Sequence, residues 1–496
     1  MSSTFSGFDI ARKALSVSQK AMETTGHNIA NANTPGYTRQ RLVVASVEAT
    51  GTQSRFAVSE RGAVGGGVEA VTVEQVRNAF LDRQYWRENA TSSELTARSE
   101  HLAYVESVFD ELSGTGLSNA LAKFSASVQE AAKNPVSPEF RTNLVQNAQI
   151  LTETFNHAAS QLLDKQADLD QTIAAQVLQV NDIAVTLADY NGQIARYELS
   201  GQRANDLRDK RNALLDELSG LVQFTAVETG DGKLQVYLGD NSQLLVDHTT
   251  SRSLAAAATL ANPLSSTGPQ LLAVTWSDEP NLDLSGSSFG GSLKGLFELR
   301  DGAAADTIGL PYLASQLDRL AEGIAKEFNT QHKLGYTLTD PSVTGGGFFS
   351  GSGAADLAVD AAILADINLI ALAGSSVTFS NNGTPDALGD NTNALRLGNL
   401  FTSQTIPDIG SFSGYLGTFI GSLAIETAHT DSRLSGQQIL VESIDQQRES
   451  VAGVSMDEEM TNLVRFEKSY AAAARLVTAI DEMLDVLINR TGVVGR

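Results

Sequence analysis

The strongest constraint on this chain lies near its end. Leu463, Phe466, Tyr470, Ala473, Val477, Ile480, Leu484 and Leu487 follow one another at alternating steps of three and four without an exception. That spacing lines one side of an α-helix with apolar groups and predicts a coiled-coil seam, which requires a partner helix. Met460, Ala471, Ala474 and Ile488 add a second stripe, more than one partner covers, and so point to packing in a layer of several helices. At the other end Leu15, Met22 and Ile29 recur every seven residues, flanked by Ile10, Ala14, Val17 and Ala21. The terminal charges are complementary. Residues 1–45 carry five Lys or Arg against two acids, and residues 456–490 carry four against seven. Opposite fields favour pairing of the two ends, although exposed ion pairs are worth only about 0–1 kcal/mol each.

Proline marks out the intervening architecture, because one inside a helix costs about 3 kcal/mol. Two long stretches lack it, residues 139–262 and everything after Pro407. In the first, Ile173, Val177, Val180, Ala184, Leu187 and Ile194 keep helical spacing interrupted only by Asn191, which predicts a long helix over 138–199. An amphipathic segment follows with Leu207, Leu214, Leu215 and Leu218, and earlier helix covers about 74–133. From 222 the period changes to two, with Asp231 and Gly232 central to a hairpin signal. Helix is expected again at 311–332 and from 412 to the end with a break near Gly453. Residues 335–395 read as loops and short strands.

At 496 residues the chain is long enough for about three domains. The fold class is therefore mainly α with a β-containing middle, elongated and multi-domain. Residues 1–45 and 455–496 form a terminal coiled-coil domain. Residues 46–225, 290–335 and 395–454 form a helical bundle, and residues 226–289 and 336–394 form a β-rich outer domain.

Composition removes several function classes. There is no cysteine, hence no disulfide, thiol nucleophile or cysteine metal site, and the six histidines show no metal-ligand spacing. A net charge of -23 disfavours nucleic acid and acidic membrane faces. No run approaches the roughly 20 apolar residues of a membrane span, and the start has no apolar block of a cleavable signal. GSSFG at 286–290 fits a serine-nucleophile pattern, with Ser288 followed by Asp306 and His332, but it sits in a Ser/Gly loop rather than a strand-to-helix elbow. The Asp-rich GDNSQ and GDNTN lack calcium-loop spacing. No catalytic, cofactor or metal site is assigned.

The N-terminal helix runs into NIANANTPGYTRQ at 28–40, where Asn31, Asn33, Pro35 and Gly36 specify a helix stop, a turn and an extended arm. This Asn-rich turn resembles that of the axial proteins of the bacterial flagellum, the rod, hook and hook-associated family. The C-terminal segment 453–492 is similar to that family's terminal helix. Three interior segments resemble the hook-associated members: GQRANDLRDKRNALLDELS at 201–219, GGSLKGLFELRD at 290–301 and EFNTQHKLGYTL at 327–338. The chain departs from the family at Glu467 and Lys468, where glutamines are common, and at the TDPSVTGGG loop.

The resemblance implies a non-enzymatic structural protein forming a ring at the junction of hook and filament. Its partners would be copies of itself, hook protein, a second junction protein (hook-associated protein 3) and a cytoplasmic export chaperone on the C-terminal helix. It implies type III export and an extracellular place in the flagellum. The surplus apolar surface of the terminal helices has no complete partner in one subunit, so they are expected to be poorly ordered until assembly. Leu15, Met22, Ile29, Leu463, Phe466, Tyr470, Val477 and Leu484 are the expected subunit-interface residues. The alternatives are a hook or rod protein and, remotely, a secreted hydrolase using Ser288.

Overall fold

The computed structural model describes residues 6–48, 65–109, 116–230, 232–239, 243–265, 268–285, 289–339, 343–376, 389–401 and 410–490. The chain is mostly helical with small antiparallel sheets. It divides into two compact units, each discontinuous in sequence: residues 1–90, 180–253 and 438–496, and residues 91–179 and 254–437.

The first unit begins with α1 (Ser6–Ala30) and a two-stranded ribbon, β1 (Gln40–Ser46) with β2 (Val68–Gln75). Only an extended arm was expected here. The alternating, β-branched VEAVTVEQ and QRLVVAS are the signal for the ribbon. The unit also holds the start of α2 (Ala79–Phe109), and α3 (Leu117–Lys133) belongs to the second unit. The expected long helix is α4 (Pro138–Glu198); its last part lies in the first unit beside α5 (Asn205–Leu221).

A four-stranded sheet follows, of β3 (Phe224–Glu228), β4 (Leu234–Leu238), β5 (Gln243–Asp247) and β6 (Thr250–Ser251), in that order. The β3–β4 hairpin pairs Glu228 with Leu234 and turns through Gly232, whose φ of 78° suits glycine. Asp231 lies outside the described residues.

Asn191, the break in the apolar spacing of α4, is fully buried. Its Nδ2 donates to the carbonyls of Leu234 (2.9 Å) and His248 (2.6 Å), and its Oδ1 accepts from Leu234 N and Arg211 Nη1. The polar residue is thus an anchor for the sheet in an otherwise apolar stripe.

The second unit contains β7 (Leu254–Leu260), β8 (Leu271–Trp276) and β9 (Glu279–Asp283) in one sheet, then α6 (Gly291–Asp301). A short pair, β10 (Ala303–Ala304) and β11 (Thr307–Ile308), leads into α7 (Leu310–His332). Another, β12 (Phe349–Ser350) and β13 (Ala358–Val359), precedes α8 (Ala361–Ala365) and α9 (Thr392–Asn399). The long α10 (Phe412–Ala452) passes into the first unit, where α11 (Met456–Asp485) completes the chain.

The core of the second unit is aromatic. Phe328 lies 4.8 Å from Phe348 and 5.3 Å from Phe124 between ring centroids, and Phe124 lies 5.5 Å from both Phe349 and Phe401.

Two of the family-like segments act as fasteners here. In GGSLKGLFELRD, Arg300 is fully buried and its Nη1 donates to Asp170 Oδ1 (2.6 Å) and the Leu272 carbonyl, tying α6 to α4 and β8. In EFNTQHKLGYTL, Asn329 Oδ1 accepts from the amides of Phe348 and Phe349 while its Nδ2 donates to the Phe349 carbonyl.

Candidate assembly surface

α1 and α11 run antiparallel. Gly7 faces Ile480 at one end, with 3.4 Å between a Cβ position on Gly7 and Ile480 Cδ1, and Asn28 meets Glu459 at the other. The face that α1 buries consists of Ala11, Ser18, Ala21, Thr25 and Asn28. These small side chains keep the 7-3-4-3 spacing of a seam, so the close contact of α1 is made by small groups rather than by its largest apolar ones.

The expected interface residues fall on the flanks. Leu15, Met22 and Ile29 are half-buried, as are Leu463, Phe466, Val477 and Leu484; Tyr470 is 39% exposed, and Ala473 is the buried apolar group of α11 among the described residues. Beyond them Met456, Met460, Val464, Leu476, Met483, Leu487 and Ile488 expose large apolar surface.

The base of the pair is polar and buried. α1 stops where Asn31 Nδ2 donates back to the His27 carbonyl and its Oδ1 accepts from Thr34 Oγ1. The chain then turns through the exposed Asn33, Pro35 and Gly36, where φ is 76°. Asn28 lies just before this turn, is 1% exposed, and makes four hydrogen bonds. Its Nδ2 donates to the Gln40 carbonyl (2.9 Å) and Glu459 Oε2 (3.1 Å); its Oδ1 accepts from Gln40 N (2.9 Å) and the Tyr37 hydroxyl (2.8 Å). Gln40 pairs with Gln75 while Val76 N donates to the Arg39 carbonyl, so the amide and carbonyl of Gln40 point away from the ribbon. One side-chain amide stands where a third strand would.

Arg39 closes the junction from the other side, donating to Glu459 Oε1 (2.8 Å) and Glu458 Oε2 (2.9 Å). Burial, reinforced by the carboxylates of Asp206, Asp209 and Glu459, pushes the Tyr37 phenol upward. The sequence reading singled out Asn31, Asn33, Pro35 and Gly36 and passed over Asn28. A buried asparagine at the end of a helical small-residue stripe carries no local signal until its partners are known.

α5 explains the segment at 201–219. One side of its first turns holds the ribbon: Asp209 Oδ2 accepts from Thr38 N (3.2 Å), its Oδ1 accepts from Gln75 Nε2 (2.6 Å), and Asn205 Nδ2 donates to the Val73 carbonyl (2.9 Å). Burial raises the Asp209 carboxyl to about 6. The other side holds the sheet: Arg208 bonds both oxygens of Glu198 and Oε1 of Glu228, and Arg211 Nη1 donates to the Gly232 carbonyl (2.8 Å).

Near the end of α10, Arg448 donates to Asp82 and both oxygens of Asp216, and stacks 4.1 Å over Tyr85. Between these elements and the Asn-rich turn lies a polar cleft of about 780 Å³, lined by Thr34, Arg77, Arg448 and Glu449 among others.

The serine-nucleophile pattern has two of its three residues among those described. His332 is fully buried, its Nδ1 bonded to the Gly346 carbonyl and its Nε2 accepting from Ala371 N, and burial lowers it to about 4. Ser288 lies outside the described residues, and Asp306 is exposed. Among the described residues no group of His, Asp and Glu is placed to hold a metal, and no helix is long and apolar enough to cross a membrane.

Comparison with known proteins agrees with this geometry at both ends and in the middle. Residues 8–38 match the flagella basal body rod protein family and residues 445–490 the C-terminal family of the flagellar basal body rod FlgEFG proteins. Residues 102–349 match the helical domain of flagellar hook-associated protein FlgK. The chain is 33% identical to flagellar hook-associated protein 1 of Bacillus subtilis over the full length of both proteins. The chain belongs to the flagellar hook-associated protein 1 family. The Escherichia coli member is 26% identical over 97% of this chain and 98% of its own. The fold also matches the solved structure of the flagellar hook junction protein FlgK from Burkholderia pseudomallei, with a TM-score of 0.64 and 16% identity. That match covers 75% of this chain and all of that one. Membership of this family makes the chain a structural flagellar protein, and the two rod-type matches coincide with the two helices that pair.

Proposed function

We propose that this chain is a subunit of the ring joining flagellar hook to filament, and that the α1–α11 pair makes its subunit contacts. The observation that carries the proposal is the pair itself. Its closest contact uses small side chains, leaving Leu15, Met22, Ile29, Leu463, Phe466, Tyr470, Val477 and Leu484 on flanks where a neighbouring copy covers them. Coiled-coil packing is then completed between subunits. Burying each large side chain contributes about 1.5–3 kcal/mol, enough for several half-covered groups to drive association.

Hook protein on one side and a second junction protein, hook-associated protein 3, on the other are the neighbours this role requires. Until then an export chaperone on α11 would shield the same surface in the cytoplasm, and type III export would deliver the subunit outside the cell. The sequence-based division into terminal, bundle and outer β domains assigns the contacts to the terminal part.

Electron microscopy of cells lacking the protein, with flagellin measured in the medium, tests the role. Bare hooks and shed flagellin are expected. Missing hooks would instead support a rod or hook protein, and normal filaments would overturn the assignment. Val477→Asp tests the surface: junction assembly is lost while the protease-resistant remainder of the subunit is unchanged. Assembly at the normal level would remove Val477 from the interface.

A further inference from the structure

The three-stranded sheet of the second unit has two unlike edges. β9 is exposed throughout and carries Glu279, Pro280 and Asp283, and charge and proline of this kind keep an edge strand from pairing further. β7 has neither. It reads LAAAATL, with Ala257, Ala258 and Thr259 exposed and Ala255 and Ala256 half-buried. Its backbone is open on the side away from β8. Val274 of β8, opposite Ala256, directs its amide to Ser285 Oγ (2.9 Å) and its carbonyl to Leu284 N (2.8 Å), both away from β7. Leu272, opposite Ala258, does the same: its amide donates to Asp170 (3.1 Å) and its carbonyl accepts from Arg300 Nη1 (2.8 Å). In an antiparallel ladder, opposite residues either exchange both bonds or both face outward, so the amides and carbonyls of Ala256 and Ala258 point off the free side of the sheet. Among the described residues nothing is bonded to them. Such a row of unpaired peptide groups is a template for an extended strand.

We propose that β7 is a docking edge for the β7 of a second copy, the two strands pairing antiparallel about a two-fold axis at Ala256. That register is self-complementary. The amide of each Ala256 donates to the carbonyl of the other, Ala255 stands opposite Ala257, Leu254 opposite Ala258 and Arg252 opposite Leu260. The facing side chains are small or apolar, and no two like charges are opposed across the ladder. Electrostatics favours this edge as well. The chain carries a net charge of -23, so copies repel one another, yet residues 248–277 contain no Asp or Glu and one base, Arg252. A second copy therefore brings an acid-free strand whose outward peptide groups fall in step with these. The edge uses none of the residues of α1 or α11, so the proposal stands apart from the assembly reading above.

The test is sedimentation velocity and hydrogen exchange of purified full-length protein across a dilution series from micromolar to millimolar. Wild-type protein is expected to pass from monomer to dimer as concentration rises, and the peptide spanning 254–260 to gain about tenfold protection with it. Ala256→Pro deletes the outward amide without touching the β8 ladder, and Ala258→Lys puts a charge at an exposed edge position opposite Leu254 of the other copy. Each should weaken dimerisation at least about tenfold while the melting curve of the subunit is unchanged. Should Ala256→Pro not fold, Ala258→Lys decides, because it leaves the backbone intact and its side chain lies in solvent. A wild-type monomer at every concentration overturns the proposal. So does a dimer that the folded variants keep, or one that forms without protection at 254–260, since either places self-association on another surface such as the terminal helices. Protection of 254–260 that appears only on adding isolated hooks would make another protein's strand the occupant, and likewise overturns it.

Discussion

Replacing Asn28 with alanine removes a side chain that reaches Gln40, Tyr37 and Glu459 together. The Tyr37 hydroxyl keeps His27 Nδ1 at 2.9 Å, and Glu459 keeps Arg39. The amide and carbonyl of Gln40 are different, since they face away from the ribbon and lose their partner. A buried backbone group left unpaired costs about 1–3 kcal/mol, so the two together cost about 2–6 kcal/mol. The loss is local to the base of the α1–α11 pair. Native-state hydrogen exchange read by mass spectrometry should show protection of peptides spanning 37–46 and 456–463 falling at least about thirtyfold, since 1.4 kcal/mol is a factor of ten. Peptides from 310–332 should not change. Asn28→Asp adds a second test, because it puts a carboxylate about 3 Å from Glu459 and loses both donated bonds. Its defect should be at least as large as that of Asn28→Ala. Undiminished protection at 37–46 in Asn28→Ala would refute the reasoning that this amide replaces a third strand.

Asn191→Leu restores the apolar spacing of α4 but removes the partner of the Leu234 amide, the Leu234 carbonyl and the His248 carbonyl. It should destabilise the first unit by about 3 kcal/mol in urea unfolding, whereas a gain would show that the sheet finds other partners. Gly295→Ala places a Cβ 2.5 Å from the Glu94 carbonyl and 3.2 Å from Ala97 Cβ, forcing α6 off α2. A loss of about 1–3 kcal/mol in the second unit is expected, checked by calorimetry, and an unchanged melting temperature would mean that α6 shifts freely. The two buried titrating groups act oppositely. His332 stays neutral in the fold down to about pH 4 but is protonated below about 6.5 when unfolded, so acidification through that window removes up to about 3 kcal/mol from the second unit. Asp209 takes a proton near pH 6 in the fold against 3.8 unfolded, so the same acidification adds up to about 2–3 kcal/mol to the first unit. His332→Gln and Asp209→Asn should each flatten the pH dependence of its own transition; a variant with the wild-type slope would refute that assignment.

What local sequence determined was the set of elements. Apolar spacing and proline placement marked α4, α7, α10 and α11 nearly to the residue, and the Asp-Gly signal marked the β3–β4 hairpin, because periodicity and backbone restriction are properties of short segments. The Asn-rich turn was legible for the same reason, as were the family ends.

What only the tertiary structure decided was which face of each element is inside. Leu15, Met22 and Ile29 of α1 are half-buried, and the fully enclosed stripe is Ala11, Ser18, Ala21 and Thr25, because α1 packs against both α11 and the β1–β2 ribbon. Asn28, Asn191, Arg211 and Asp209 carry no local signal of burial, yet each is buried because a backbone edge or a charge from a distant segment meets it. Hydrophobic pattern is written in neighbours along the chain. The satisfaction of a buried polar group depends on residues 12 to 431 positions away, which no local pattern records.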